Sequence, residues 1–308
     1  MIYQHPLAYL LGLEGLALLR AWAGEYDKAF VEARLAEIRR LLATDALVNH
    51  GGVMVGRGDT GTAYRQWSAT YDEPRNSMFD IDEPIMHEIL DALPSGDALD
   101  AACGTGRYAE HLAARGHRVV GVDSSPDMLE RARARVPQSE FRLGDLHRLP
   151  LADDAVDVAV SGLALAHVPA LEPVMAEFAR VLRPGGSLVI SDMHHERILL
   201  GSVVKALGQA GEPGLVATYR HTAGDFLRAA LPAGLQVRRC EEPGAPAGAQ
   251  PSPLPAGEQP SPLPAEVEIA AGRWQEWPWS LMDLVPEATR AAAATPDAII
   301  WHFQLADS

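Results

Sequence analysis

Apolar residues recur along this chain with two different periods. Val31, Leu35, Ile38 and Leu42 follow one another at spacings of 4, 3 and 4, with Glu32, Arg34, Glu37, Arg39 and Arg40 on other faces. That spacing predicts an amphipathic helix beginning after Gly24. Ahead of it, Leu7 to Leu19 is the most apolar stretch near the start; it holds Glu14 and is too short to span a bilayer. It reads as a buried helix or an oligomer contact. Beyond Gly96 the pattern changes to short apolar runs bounded by turn residues. Asp97-Ala98-Leu99 follows Pro94-Ser95-Gly96, Arg107 to Arg115 reads as a helix closed by Gly116, and Arg118 to Val122 reads as a buried strand ending on Asp123. Strand, loop, helix, strand is the repeating unit of an α/β fold with a parallel sheet.

The first of these strand-to-helix junctions carries the chemistry. Leu99-Asp100-Ala101-Ala102-Cys103-Gly104-Thr105-Gly106 places an acid, small residues and two glycines where the chain turns. Glycines let the backbone approach a ligand closely, and an ionised carboxylate at the tip of the next strand, Asp123, can accept from both hydroxyls of a ribose. Hydrogen bonds to a charged acceptor contribute roughly 1.5–3 kcal/mol each, enough for one acid to decide the ligand. The ligand is therefore nucleotide-like. The loop is not the dinucleotide fingerprint, because Ala109 stands where that pattern wants its third glycine.

Asp100-x-x-Cys-Gly-x-Gly resembles motif I of the class I S-adenosylmethionine (SAM) dependent methyltransferases, and the likeness continues in order. Phe141 to Leu151 resembles the third strand with its acidic adenine contact, Asp154 to Ser161 resembles strand four, and Phe178 to Asp192, with Pro184-Gly185-Gly186, resembles the helix, turn and strand five. Within that family the chain is most similar to the UbiE-like small-molecule methyltransferases of actinobacterial secondary metabolism. The resemblance implies a Rossmann-like, seven-stranded, mostly parallel sheet of order 3-2-1-4-5-7-6, with strand seven antiparallel. It implies that Asp100, Gly104 and Gly106 hold the methionine end of SAM, that Asp123 serves the ribose, that Met128 and Leu146 flank the adenine, and that Ala102, Cys103 and Ser124 also belong to the cofactor site. Asp145 would meet the adenine amine, Ser161 would lie near the transferred methyl, and Tyr71 belongs to a helix that resembles one folded over bound cofactor. S-adenosylhomocysteine would be the product.

Outside residues 97–192 the reading is coarser. Residues 1–60 form an N-terminal helical hairpin and connection, either a cap on the same domain or a homodimer contact, and residues 61–308 form the SAM-binding domain. Residues 243–266 are a Pro-rich linker in which Gln250 to Ala256 recurs as Gln259 to Ala265, a composition that builds no core. Residues 267–297 are a candidate lid inserted between Leu235–Cys240 as strand six and Ala298–Leu305 as strand seven. The Trp274, Trp277, Trp279 group either walls a substrate pocket or covers a minor core. A formal charge of −15 argues against nucleic acid as partner. Two cysteines support neither a disulfide framework nor a metal cluster. No export signal is evident, so a cytoplasmic enzyme with a small-molecule substrate is expected.

Methyl transfer is an in-line displacement that depends on alignment, and a hydroxyl acceptor must also lose a proton. Histidine suits that task near neutrality. Just after strand five stand His194 and His195, and His221 follows on the same side of the sheet; these are the candidate bases, while His167 is read as structural or close to the cofactor. Alternatives are a catalyst of the same fold that does not transfer methyl, such as a cyclase, or a non-catalytic binding protein.

Overall fold

A computed structural model describes residues 1–58, 77–208, 211–244, 270–292 and 295–307. Seven strands form the main sheet: β1 (Asp97–Ala101), β2 (Arg118–Asp123), β3 (Glu140–Leu143), β4 (Val156–Gly162), β5 (Leu182–Met193), β6 (Leu235–Glu241) and β7 (Ala298–Leu305). Their spatial order is β6-β7-β5-β4-β1-β2-β3, and β7 runs antiparallel to both of its neighbours. This is the order expected from the sequence. β1 and β4 are almost wholly buried, as strands covered on both faces must be. Helices Ser77–Asp91, Arg107–Ala114 and Pro126–Arg135 supply Met86, Leu112 and Leu129 to the core on one face. Helices Glu172–Val181 and Ala223–Ala230 supply Phe178 and Phe226 to the other.

The glycine turn before strand five is absorbed into the strand. Val156 pairs with Leu182 and Val158 with Ser187, so Arg183 to Gly186 bulge out between two pairings instead of preceding β5. Arg183 pins the bulge by ion pairs to Asp97 and Asp157. Because β1 pairs with β2 on one side and β4 on the other, the strand order reverses at β1. A crevice is expected beyond the carboxyl ends of those strands.

A second compact unit gathers Met1–Arg57, Leu200–Leu215 and Gly244–Thr295. Its four-stranded sheet has the order Ile2–Gln4, Val53–Gly58, Pro213–Val216, Lys205–Leu207. Helices Pro6–Trp22 and Lys28–Leu42 belong to it, the latter capped by Asp27, which accepts from the Phe30 N–H at 2.9 Å. Leu10, Leu13 and Leu41 share its core with Trp274, Trp277 and Leu281. The indole N–H groups are satisfied: Trp274 donates to Gln4 Oε1 at 2.7 Å and Trp277 to the Ala271 carbonyl at 2.6 Å. Lys205 donates to the carbonyls of both tryptophans. Trp274 and Trp277 therefore cover a minor core, one of the two uses open to them from sequence. The boundary read at residue 60 falls near the end of the unit's first segment, while its other two segments come from inside the stretch read as one SAM-binding domain.

Candidate functional site

The carboxyl ends of β1, β2, β3 and β4 surround a cavity of about 280 Å³, close to the lower end of the volumes usual for small-molecule sites, about 300–1,000 Å³. Ala102 and Gly104 reach it from the loop after β1, and Asp123 and Ser124 from the tip of β2. Met128, Asp145, Leu146 and His147 close one side, and Leu163, Ala164 and His167 the other.

Asp123 organises the mouth of the loop. Its carboxylate accepts from the Gly104 N–H and the Ser125 N–H, each at 2.8 Å. Burial pushes its pKa up, and these backbone donors pull it back down. The next turn requires its glycine: Gly106 has φ +85°, and a Cβ there would sit 3.1 Å from the Cβ of Ala132. Ala102 and Leu163 also adopt left-handed backbone, each with φ 55°, and they line the cavity just beyond the ends of the neighbouring strands β1 and β4. Such conformations persist where surrounding structure over-determines them, and they concentrate at ligand sites.

The other sequence-derived residues divide by burial. Asp100 is 1% exposed and accepts from the Ala109 N–H at 2.8 Å; desolvation raises its pKa to about 7. It positions the loop and helix from behind the cavity. Cys103 is buried and burial raises its thiol pKa, so it packs as an apolar residue. Ser161 is fully buried, and its Oγ has no hydrogen-bond partner among the described residues. Tyr71 lies outside the described residues.

None of the three candidate bases is among the residues lining the cavity. His194 is 3% exposed and its Nε2 lies 3.4 Å from Glu242. His195 stacks obliquely on it at 4.2 Å, and burial lowers its pKa. His221 donates from Nε2 to the Val168 carbonyl at 2.8 Å. The lining imidazoles are His147, whose Nδ1 lies 2.6 Å from Asp145, and His167. His167 donates from Nδ1 to the Ala217 carbonyl at 3.0 Å, which fixes its tautomer, and burial lowers its pKa. Asp192 supports the turn that carries His167. It is buried, it accepts from the Met193 N–H at 2.9 Å and from the Ala166 backbone, and desolvation raises its pKa to about 7.

A further group was silent in the sequence. Buried Asp82 accepts from Arg107, from the Tyr108 hydroxyl at 2.6 Å and from Ser191 Oγ at 2.7 Å. Its partners lie 25 to 109 residues away, so no local spacing reveals them.

Residues 99–190 match the family model of the methyltransferase domain. This stretch is a class I SAM-dependent methyltransferase domain. The chain is 32% identical over 139 residues to malonyl-[acyl-carrier protein] O-methyltransferase of Serratia marcescens, covering 45% of this chain and 54% of that protein. It is 40% identical over 136 residues to an uncharacterized 37.1 kDa protein in transposon TN4556 of Streptomyces fradiae, covering 42% and 38% of the two. The matches thus span about half or less of those relatives' lengths. Among solved structures, the DhpI–S-adenosylhomocysteine complex aligns with a TM-score of 0.51 at 18% identity, over 82% of this chain and all of that one, which shows the fold. The methyltransferase domain's cavity fits the cofactor of its family. Gly104 has φ +52° with nothing within 4 Å of where a Cβ would stand, leaving a cradle open beside the Asp123 carboxylate.

Proposed function

We propose that this chain transfers a methyl group from SAM to a small-molecule acceptor, in the tailoring of a natural product. The observation that carries this reading is the Asp123 carboxylate, held by the Gly104 and Ser125 N–H groups at the edge of the cavity. Asp123 would accept the ribose hydroxyls, with Ser124 beside it. The backbone of Ala102 and Gly104 would hold the methionine end, Met128 and Leu146 would flank the adenine, and Asp145 would meet its amine. When bound, SAM supplies an electrophilic methyl on a sulfonium with a good leaving group.

The chain's remaining task is to align the acceptor and, for a hydroxyl, to take its proton. His167 is favoured over His194, His195 and His221 for that proton, because it alone of the four faces the cavity and burial keeps it neutral near pH 7. Neutral imidazole is the form a general base needs. The reading is tested by calorimetry with SAM and with S-adenosylhomocysteine, followed by mass spectrometry of candidate acceptors. Absence of heat with both nucleosides would refute it; binding without a one-methyl mass gain on any acceptor would favour a catalyst that does not transfer methyl.

A further inference from the structure

The helix Pro6–Trp22 has one face too many. Leu10, Leu13, Glu14 and Ala17 turn into the core of its own unit, and an outward stripe of Ala8, Gly12, Gly15, Leu19 and Trp22 runs along the other side at spacings of 4, 3, 4 and 3. A surface helix normally places charged residues on that side. Here there are none, and Leu19 is 68% and Trp22 91% exposed.

Gly12, Gly15, Leu16, Leu18, Leu19 and Trp22 line an open hollow of about 610 Å³. Packing among the described residues does not require the two glycines, since a Cβ at either would meet nothing within 4 Å. Glycine is also among the poorest helix formers. The two glycines leave the helix backbone open to close approach along this face.

We propose that this face pairs two copies of the chain, with their Pro6–Trp22 helices antiparallel about a two-fold axis at the level of residue 17. In that register the hollow is complementary to itself. Gly12 and Trp22 lie five residues either side of 17, and Gly15 and Leu19 two either side. Each large side chain of one copy therefore comes level with a glycine of the other. Leu16 and Leu18 stand one residue from the axis on its two flanks, where each meets its own symmetry mate. A closed two-fold contact requires one patch to fit itself in this way, and glycines allow helix axes to approach closely.

No charge is trapped by the contact. Glu14 is buried on the opposite side, and Arg20 is turned aside onto Glu25 and the Ala291 carbonyl. A lipid surface is the poorer occupant, because membrane-lying helices rim their apolar face with basic residues and this chain carries a formal −15. That shared charge also sets a sign: like-charged copies repel, so added salt tightens the pair.

Sedimentation equilibrium of the full chain from about 1 to 100 µM, a span that brackets the weak end of specific protein association, tests the proposal. A reversible dimer strengthened by salt is expected. Trp22→Ala and Gly12→Leu should each weaken it at least about tenfold, the equivalent of 1.4 kcal/mol. Gly12→Leu should do so without lowering the melting temperature of the monomer, which separates a blocked contact from a damaged fold. In a Cys240→Ser background, Leu16→Cys should cross-link to itself on mild oxidation, whereas Leu42→Cys should not. A monomer throughout that range overturns the proposal. So does a dimer indifferent to both substitutions, or one in which Leu16→Cys fails to cross-link.

Discussion

In the unit that carries the cavity, β1 to β5 follow one another between Asp97 and Met193, and helices that pack on the sheet join β1 to β2, β2 to β3 and β4 to β5. In the other unit, Leu10, Val55, Leu215 and Trp277 share one core although they come from three separate segments. The first architecture is written in contiguous sequence, so each strand, turn and helix announces the next. The second is an agreement among distant apolar residues, and no one segment contains enough of it to be read.

The contrast predicts that function and stability respond to different substitutions. Asp123→Ala removes the acceptor for two backbone N–H groups and, on the proposed reading, for the ribose. At roughly 1.5–3 kcal/mol per hydrogen bond to a charged acceptor, calorimetry should show SAM affinity weakened by at least about a hundredfold. Unchanged affinity would end the ribose assignment.

Trp277→Ala should act the other way. Truncating a buried tryptophan costs about 3–5 kcal/mol, and Trp277 is 5% exposed in the second unit's core. The expected result is a large fall in thermal stability with SAM affinity kept within about twofold, since every lining residue of the cavity belongs to the first unit. Loss of SAM binding in folded Trp277→Ala would erase the distinction between the units.

Asp192 sharpens the comparison inside the first unit. Its folded pKa stands near 7 against an ordinary 3.8, so between those values the native state keeps a proton that the unfolded chain releases. Stability must fall as pH rises from about 4 to 7 and stay lower above. Asp192→Asn should remove its own share of that slope, leaving that of Asp100 in place, and stabilise the protein at pH 8 by up to about 4 kcal/mol while leaving it unchanged near pH 3. Chemical denaturation across pH measures the difference; parallel curves for the two proteins would refute it.

The smallest expected effect concerns His167. A general base works deprotonated, and burial lowers the His167 pKa below 6.5, so turnover on a hydroxyl acceptor should rise with pH along a limb whose midpoint lies below that of an ordinary histidine. His167→Gln should remove that acid limb and reduce kcat about a hundredfold, the low end for lost proton transfer, with SAM affinity retained. An unchanged pH profile would return the role to one of the other histidines.

Between Asp97 and Asp192 the sequence by itself determined the alternation of strands and helices, the glycine turn and the acid at the tip of β2, while the order of the strands was implied by the family resemblance. Side-chain period and turn chemistry are local properties, whereas the pairing of β1 with β4 joins strands far apart in the chain. Its reach was shorter at the site. It identified Gly104, Asp123, Met128, Asp145 and Leu146, all of which line the cavity, but it ranked His194, His195 and His221 above His167. Direction along the sheet was known from β5, whereas the placing of His167 on the cavity depends on the Ala217 carbonyl and on Asp192 beneath the turn. Tertiary structure alone decided the Asp82 network, the left-handed backbone of Leu163 and the joining of Leu10 to Trp277. Each depends on groups far apart in the chain, and burial can bring these together only once the rest of the fold has fixed where both ends lie.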